Sequence, residues 1–160
     1  PRVRLLREKN KSEIMASRVD STVILDKAVS QCANPPRHWL NSSTATIYRH
    51  SVDKQMDEET GEIGHDFSMN VAKVWEKAFF RNETPGTLKT ALRTSIVLGR
   101  NGGAFVPLKK LAQFGLGGRQ GSGRQFVSWI HEKDFTRAVK ELAMRGELFR
   151  RQLMVKNVVN

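Results

Sequence analysis

The sequence is poor in cysteine, in tyrosine and in long apolar runs. Cys32 is the one cysteine among its 160 residues, which excludes a disulfide or a cysteine-based metal cluster within the sequence. No run approaches the roughly 20 apolar residues of a membrane span, and the basic start has no signal-peptide core. We therefore expect a cytoplasmic protein without a membrane segment, in which Cys32 is buried as a small apolar residue near a helix end.

Acidic residues are few relative to basic ones. The chain has 27 Lys and Arg against 16 Asp and Glu, a net charge of +11, and such an excess favours anionic partners. The basic residues gather in segments 2–11 and 145–156. Neither segment alternates them regularly with aromatic residues, as surfaces that bind single-stranded nucleic acid do. We therefore interpret both as solvated segments, and nucleic-acid binding is the less favoured alternative.

The apolar pattern alternates between helical and strand periods. The predicted elements, in chain order, are helix 12–31, strand 38–48, helix 71–79, strand 87–98, helix 104–114, strand 125–130 and a last helix from Asp134 onward. Strands that alternate with helices favour a parallel sheet covered by helices. The predicted fold class is α/β, a partial and doubly wound Rossmann-type sheet over residues 12–143, flanked by basic segments 1–11 and 144–160.

Several familiar site motifs are absent. The glycine-rich stretch 115–123 lacks the G-x-G-x-x-G spacing because position 120 is Gln120, and it follows a helix instead of a strand. We interpret it as a flexible surface or substrate-side loop. The four histidines have no metal-ligand spacing, so we expect no metal site. No G-x-S-x-G nucleophile motif is present either.

Two features remain that could carry chemistry. Hydroxyl side chains stand at the end of the first predicted strand, in residues 42–46, which is where open α/β sheets bind ligands. Lys73 lies in the most regular amphipathic helix, beside the residues that predict its buried face. Those residues are Val71, Val74, Trp75, Ala78 and Phe79. A helical lysine is ordinarily solvated, but a half-buried one could hold a ribose hydroxyl and lower the pKa of a nearby acid.

Several segments in the same order resemble the extended, epimerase-type short-chain dehydrogenases/reductases. Residues 41–48 (NSSTATIY) resemble the family's strand-five motif, 92–99 (LRTSIVLG) its sixth strand, and 128–134 (SWIHEKD) the segment that opens a late helix. Residues 72–80 (AKVWEKAFF) and 115–123 (GLGGRQGSG) are similar to the YfcH-like epimerase-family proteins. The likeness runs from about residue 12 to residue 142.

The resemblance implies hydride transfer between NADP or NAD and a small polar substrate, with a nucleotide-linked compound as one candidate. It implies that Thr44 binds the reacting carbonyl or hydroxyl and that Lys73 holds the nicotinamide ribose. It also places further cofactor-binding residues at the strand ends, namely Ser42, Ser43, Thr94, Ser95 and Ile96. The family's tyrosine position holds Met69, so Tyr48, or else Ser68, is the substitute that we expect to transfer the proton.

Other departures from the family pattern limit the expected activity. Val127 stands where an arginine often grips the substrate phosphates, and the amino-terminal strand with its glycine fingerprint is missing from the sequence. We expect a truncated form that binds NADPH weakly and is inactive by itself, with an open sheet edge that favours a homodimer. The alternative is a catalytically silent scaffold that retains the fold.

Overall fold

The computed structural model describes residues 8–118, 123 and 127–145. They form an α/β structure with parallel strands, which confirms the predicted fold class. The helices are α1 (Glu8–Ser30), α2 (Phe67–Phe79), α3 (Phe105–Gln113) and α4 (Glu132–Arg145), and the strands are β1 (His38–Thr44), β2 (Leu88–Thr94), β3 (Ile96–Leu98) and β4 (Trp129–His131). A short 3₁₀ helix, Ala45–Ile47, follows β1. None of the helices in these ranges has the length and apolarity needed to cross a membrane.

The strands form two separate parallel pairs. β1 pairs with β2 from His38 opposite Leu88 to Thr44 opposite Thr94, and β3 pairs with β4. Only Ser95 separates β2 from β3, so the single strand predicted over 87–98 was wrong: at Ser95 the chain passes from one pair to the other. Within the described ranges β1 and β2 each keep one unpaired edge, and association through such an edge stays a prediction.

The start of the predicted last strand and part of the glycine-rich loop lie outside the described residues. The strand predicted over 125–130 is described as β4 from Trp129, and residues 124–126 lie outside the described residues. Of the loop 115–123, residues 119–122 lie outside them as well.

The buried face of α2 differs from the face that its apolar spacing predicts. Val71 and Phe79 are buried as expected, but Val74 is 41% exposed and its prediction was wrong. Ala72 and Glu76 are buried in its place. A carboxylate therefore lies on the inner face of this helix, and hydropathy alone could not have indicated that orientation.

α1 packs against α2 through polar contacts. The indole Nε1 of Trp75 donates a hydrogen bond of 2.9 Å to Thr22 Oγ1, and Thr22 is almost fully buried. On the outer side, Ile24 and Leu25 are 68% and 51% exposed. This helix is therefore oriented by its buried polar side chains and not by its largest aliphatic ones.

Two sequence expectations about α1 were wrong. The helix already includes Glu8, four residues before the predicted start at Ser12. Cys32 is exposed and its thiol donates to the carbonyl of Ala28. Because the helix ends at Ser30, Cys32 lies in the exposed turn that follows it.

Lys89 ties α1, α2 and both strands of the first pair together. Its Nζ forms an ion pair with Asp26 of α1, and the two side chains are only 8% and 4% exposed. The same ammonium donates to the carbonyl of Phe79 (3.2 Å), the last residue of α2, and to that of Asn82 (2.9 Å), just beyond the helix. It also lies 5.1 Å from the centre of the Trp39 ring. Burial by itself would raise the pKa of Asp26, but hydrogen bonds from Lys89 and Asn82 outweigh it and lower that pKa.

Replacing Lys89 by methionine keeps the aliphatic part of the side chain and leaves the buried Asp26 carboxylate without its ion pair. We expect the free energy of unfolding to fall by about 3–5 kcal/mol, as is typical of a buried pair that loses one partner. Urea unfolding followed by circular dichroism measures the change. Lys77→Met, at an exposed position near the end of α2, is the matched control and should cost less than about 1 kcal/mol. Equal losses of stability in the two variants would contradict a stabilising role for the buried Lys89–Asp26 ion pair.

Candidate functional site

The carboxyl ends of β1 and β2 lie level with each other and bring two predicted site residues together. Thr44 is paired with Thr94 as the last residues of the two strands. Thr44 Oγ1 accepts a hydrogen bond of 3.2 Å from the Thr46 amide and shares one of 3.0 Å with the Thr46 hydroxyl. Thr94 Oγ1 donates to the carbonyl of Leu92. This edge is where open parallel sheets bind ligands.

The two serines before Thr44 point to opposite faces of the strand. Successive side chains of a strand alternate between its faces. Ser42 is exposed, whereas Ser43 is buried and donates a hydrogen bond of 2.6 Å to Glu76 Oε1. Of this predicted pair, only Ser42 is therefore open to a ligand in solution, and Ser43 is already engaged inside the protein.

Thr94, Ser95 and Ile96 form the junction between the two strand pairs. The hydroxyl oxygen of Ser95 is buried and has no hydrogen-bond partner among the described residues. A buried hydroxyl left unpaired costs about 1–3 kcal/mol. Ile96 is 44% exposed. The junction therefore offers an unsatisfied polar atom beside an accessible apolar side chain.

Lys73 is half-buried in the middle of α2. Within the described residues, its ammonium makes no hydrogen bond and no ion pair. Its neighbour Ala72 is fully buried and packs in a cluster with Ile47 and Tyr48, directly after Thr44. The turn of α2 that carries Lys73 therefore packs against the segment that follows Thr44 at the end of β1.

A buried polar network beneath this edge was missed by the sequence analysis. Arg93 donates from Nε and Nη2 to the two carboxylate oxygens of Glu76, at 2.8 and 2.7 Å. Glu76 also accepts from Ser43, and Arg93 Nη1 donates to the Tyr48 hydroxyl at 2.6 Å. One signal was present in the sequence: Arg93 directly follows Ala91 and Leu92 in β2, and an arginine buried beside such residues needs an acidic partner.

The environment of Arg93 keeps it charged. Burial by itself would lower its pKa, but hydrogen bonds to Glu76 and Tyr48 outweigh that effect and raise the pKa above its ordinary value. The guanidinium also lies 5.2 Å from the centre of the Tyr48 ring. The network therefore holds a charged guanidinium against the Glu76 carboxylate inside the protein.

Tyr48 is buried, and its hydroxyl is used within this network. Burial raises the pKa of Tyr48, and the hydrogen bond from Arg93, which acts in the opposite direction, offsets this only in part. A raised pKa disfavours proton transfer at neutral pH, because a catalytic group works best with a pKa near the working pH. Its role as the catalytic substitute for the family tyrosine stays a prediction.

Met69, at the position of the family tyrosine, takes part in packing. Its sulfur accepts a hydrogen bond from the Asp66 amide. A Cβ added at Gly64 would clash with that sulfur, so the backbone and Met69 are in close contact there. The neighbouring Ser68 is exposed, and so is Val127 at the position of the family arginine.

The chain is similar to proteins of one family over most of its described length. Epimerase family protein SDR39U1 from mouse is 38% identical over 122 residues, which is 76% of this chain. A crystal structure of human epimerase family protein SDR39U1 with NADPH superposes with a TM-score of 0.81 and 32% identity over 88% of the chain. Over this part of its length the chain is similar to the epimerase family of short-chain dehydrogenases/reductases. This confirms the resemblance on which the site residues were chosen.

Coverage of these family members is partial. The chain spans 41% of the mouse protein and 48% of the human structure. A nucleoside-diphosphate sugar epimerase from Corynebacterium glutamicum superposes with a TM-score of 0.72 and 28% identity, over 84% of this chain and 28% of that one. No family model matches the chain.

Tyr48 is the single tyrosine in the sequence, so the ultraviolet absorbance of phenolate reports on it alone. Because burial raises its pKa above the ordinary value of 10.0, the midpoint of phenolate formation in the folded chain should lie above that pH. In denaturant the same group should titrate at about pH 10. The stabilisation from this shift is complete below the unfolded pKa and is lost as the pH rises through the folded one.

Circular dichroism at each pH establishes that the chain is still folded during this titration. A folded midpoint at or below the denatured one would show that the Tyr48 hydroxyl is not held in the interior.

Proposed function

We propose that this chain forms the substrate and nicotinamide side of a site for hydride transfer between NADP or NAD and a small polar substrate. The observation that carries the proposal is the geometry at the carboxyl ends of β1 and β2. Thr44 and Thr94 are level with each other at the strand ends, and next comes the Ser95 hydroxyl, which has no hydrogen-bond partner in the described part of the chain. Hydroxyl groups and a single ammonium suit a ligand rich in ribose hydroxyls and amide groups.

The residues present fit a nicotinamide dinucleotide at one end only. Lys73 and Ser42 would hold the nicotinamide ribose, and the junction from Thr94 to Ile96 would lie against the nicotinamide ring and its carboxamide. The NADPH in the human structure supports this choice of cofactor. When bound, the nicotinamide would give or accept the hydride. The sequence has no glycine fingerprint for the pyrophosphate, so its own residues supply only part of the affinity.

Thr44 is the residue that we assign to the reacting oxygen of the substrate. Its oxygen already accepts a hydrogen bond from the Thr46 amide. With the Thr46 hydroxyl as a second donor, the proton of Thr44 is left for a substrate carbonyl. Such a contact orients the substrate and stabilises charge on its oxygen.

Lys73 contributes a positive charge with no partner of its own among the described residues. We assign it to the nicotinamide ribose, where an ammonium can donate to both hydroxyls. The same charge would lower the pKa of any acid held next to it. The sugar epimerase from Corynebacterium glutamicum supports a nucleotide-linked substrate as the candidate class.

The second candidate is a scaffold that retains the fold and has no catalytic activity. Met69 favours it, because a thioether cannot transfer a proton and its sulfur is used in packing. A measurement of NADPH binding separates the two candidates, because a scaffold without activity does not need a cofactor bound beside Thr44.

NADPH titrated into the ¹⁵N-labelled chain should move amide resonances at Thr44, Lys73 and the 94–96 junction, with weak binding in fast exchange. Lys73→Ala should weaken that binding about tenfold, the value of one hydrogen bond from a charged group. Lys77→Ala, one turn along α2 and exposed, is the control and should leave the affinity unchanged. Shifts that are absent or spread over the basic surface would reject the proposed site.

A further inference from the structure

One carboxylate beneath the candidate site is bonded to both strands of the first pair. Glu76, on α2, accepts from Ser43 of β1 at 2.6 Å and from Arg93 of β2 at 2.7 and 2.8 Å. Through Arg93 the chain of hydrogen bonds continues to the Tyr48 hydroxyl. A bidentate contact between a guanidinium and a carboxylate fixes direction as well as distance.

Each member of this network stands beside a residue of the candidate site. Ser43 directly precedes Thr44, and Arg93 directly precedes Thr94. Glu76 lies three residues after Lys73, which places the two on neighbouring positions of one helix. Tyr48 closes the 3₁₀ helix that Thr44 begins. The network therefore joins the three backbone segments that carry the site, without being part of the ligand-facing surface.

We propose that Glu76 is the positioning residue of this site: its carboxylate holds the ends of β1 and β2 and the Lys73 turn of α2 in one fixed arrangement. The assignment rests on the proposed function for the roles of Thr44, Lys73 and Thr94. Glu76 itself touches no ligand, because its side chain is only 11% exposed and both of its oxygens are engaged. Tyr48 belongs to the same hydrogen-bond network, because its hydroxyl accepts from Arg93.

A second buried ion pair serves as a control, because its loss should lower stability without affecting the candidate site. Asp26 and Lys89 form a second buried ion pair between a helix and β2, with exposures similar to those of Glu76 and Arg93. Lys89 lies near the start of β2 and Arg93 near its end. Loss of either acid therefore removes a buried charge pair, but only Glu76 lies under the carboxyl edge.

The experiment compares Glu76→Gln with Asp26→Asn in the full chain at a temperature where both are folded. Both variants should lose stability to urea. Only Glu76→Gln should move the methyl resonances of Thr44 and Thr94 without ligand, weaken the nuclear Overhauser contact between their backbones, and raise the NADPH dissociation constant about tenfold. Asp26→Asn should change that constant less than about twofold.

The two readouts separate failure of this inference from failure of the proposed function. Unmoved Thr44 and Thr94 resonances in Glu76→Gln, with a stability loss like that of Asp26→Asn, would overturn the positioning role. Absence of NADPH binding in the unaltered chain would reject the proposed function, and the ligand-free resonances would still decide whether Glu76 orders the edge.

A milder variant covers the case in which Glu76→Gln does not fold. Ser43→Ala removes one hydroxyl and leaves the ion pair intact. It should shift the Thr94 methyl resonance across the strand pair. Thr22→Ala removes another buried hydroxyl, which binds Trp75 between α1 and α2, and should leave Thr94 unmoved. Equal Thr94 resonances in both variants would contradict the positioning role.

Discussion

The buried ion pair between Arg93 and Glu76 is the interaction on which the placement of α2 over the strands depends. A guanidinium and a carboxylate each lose several kcal/mol of hydration when they leave water. Here that loss is offset by short contacts that use both carboxylate oxygens and three of the arginine's nitrogens. Because Glu76 must face β2, the helix turns Ala72 inward and leaves Val74 toward solvent. The buried Glu76 carboxylate thus determines the orientation of α2, and the positions of its aliphatic residues result from that orientation.

Local patterns in the sequence predicted most of the fold. Helical and strand periods gave the alternating order of elements, and the parallel pairing followed from that order. One error concerns a feature that depends on distant partners. The run 87–98 has one continuous strand pattern, yet its two halves pair with different strands. The error at Cys32 is local: the residue has the apolar character of a core residue, but the turn after α1 places it at the surface.

The candidate site was predictable where chemistry follows from position along a strand. Hydroxyl groups at the end of β1 indicated a ligand edge, and the structure brings Thr44 and Thr94 together there. The support beneath that edge was not predictable, because Glu76 and Arg93 are 17 residues apart in sequence and lie on different kinds of element. For the same reason, the use of the Tyr48 hydroxyl inside the protein could be seen only once the strands were paired.

The Arg93–Glu76 pair also restricts how this sequence can diverge. Replacing either partner alone leaves the other as an unpaired charge in the interior, whereas replacing both by apolar residues of similar volume can be nearly neutral. A lineage therefore leaves this arrangement by way of an unstable intermediate or through two nearly simultaneous substitutions. We expect the residues at these two positions to change together among related sequences, and not independently of each other.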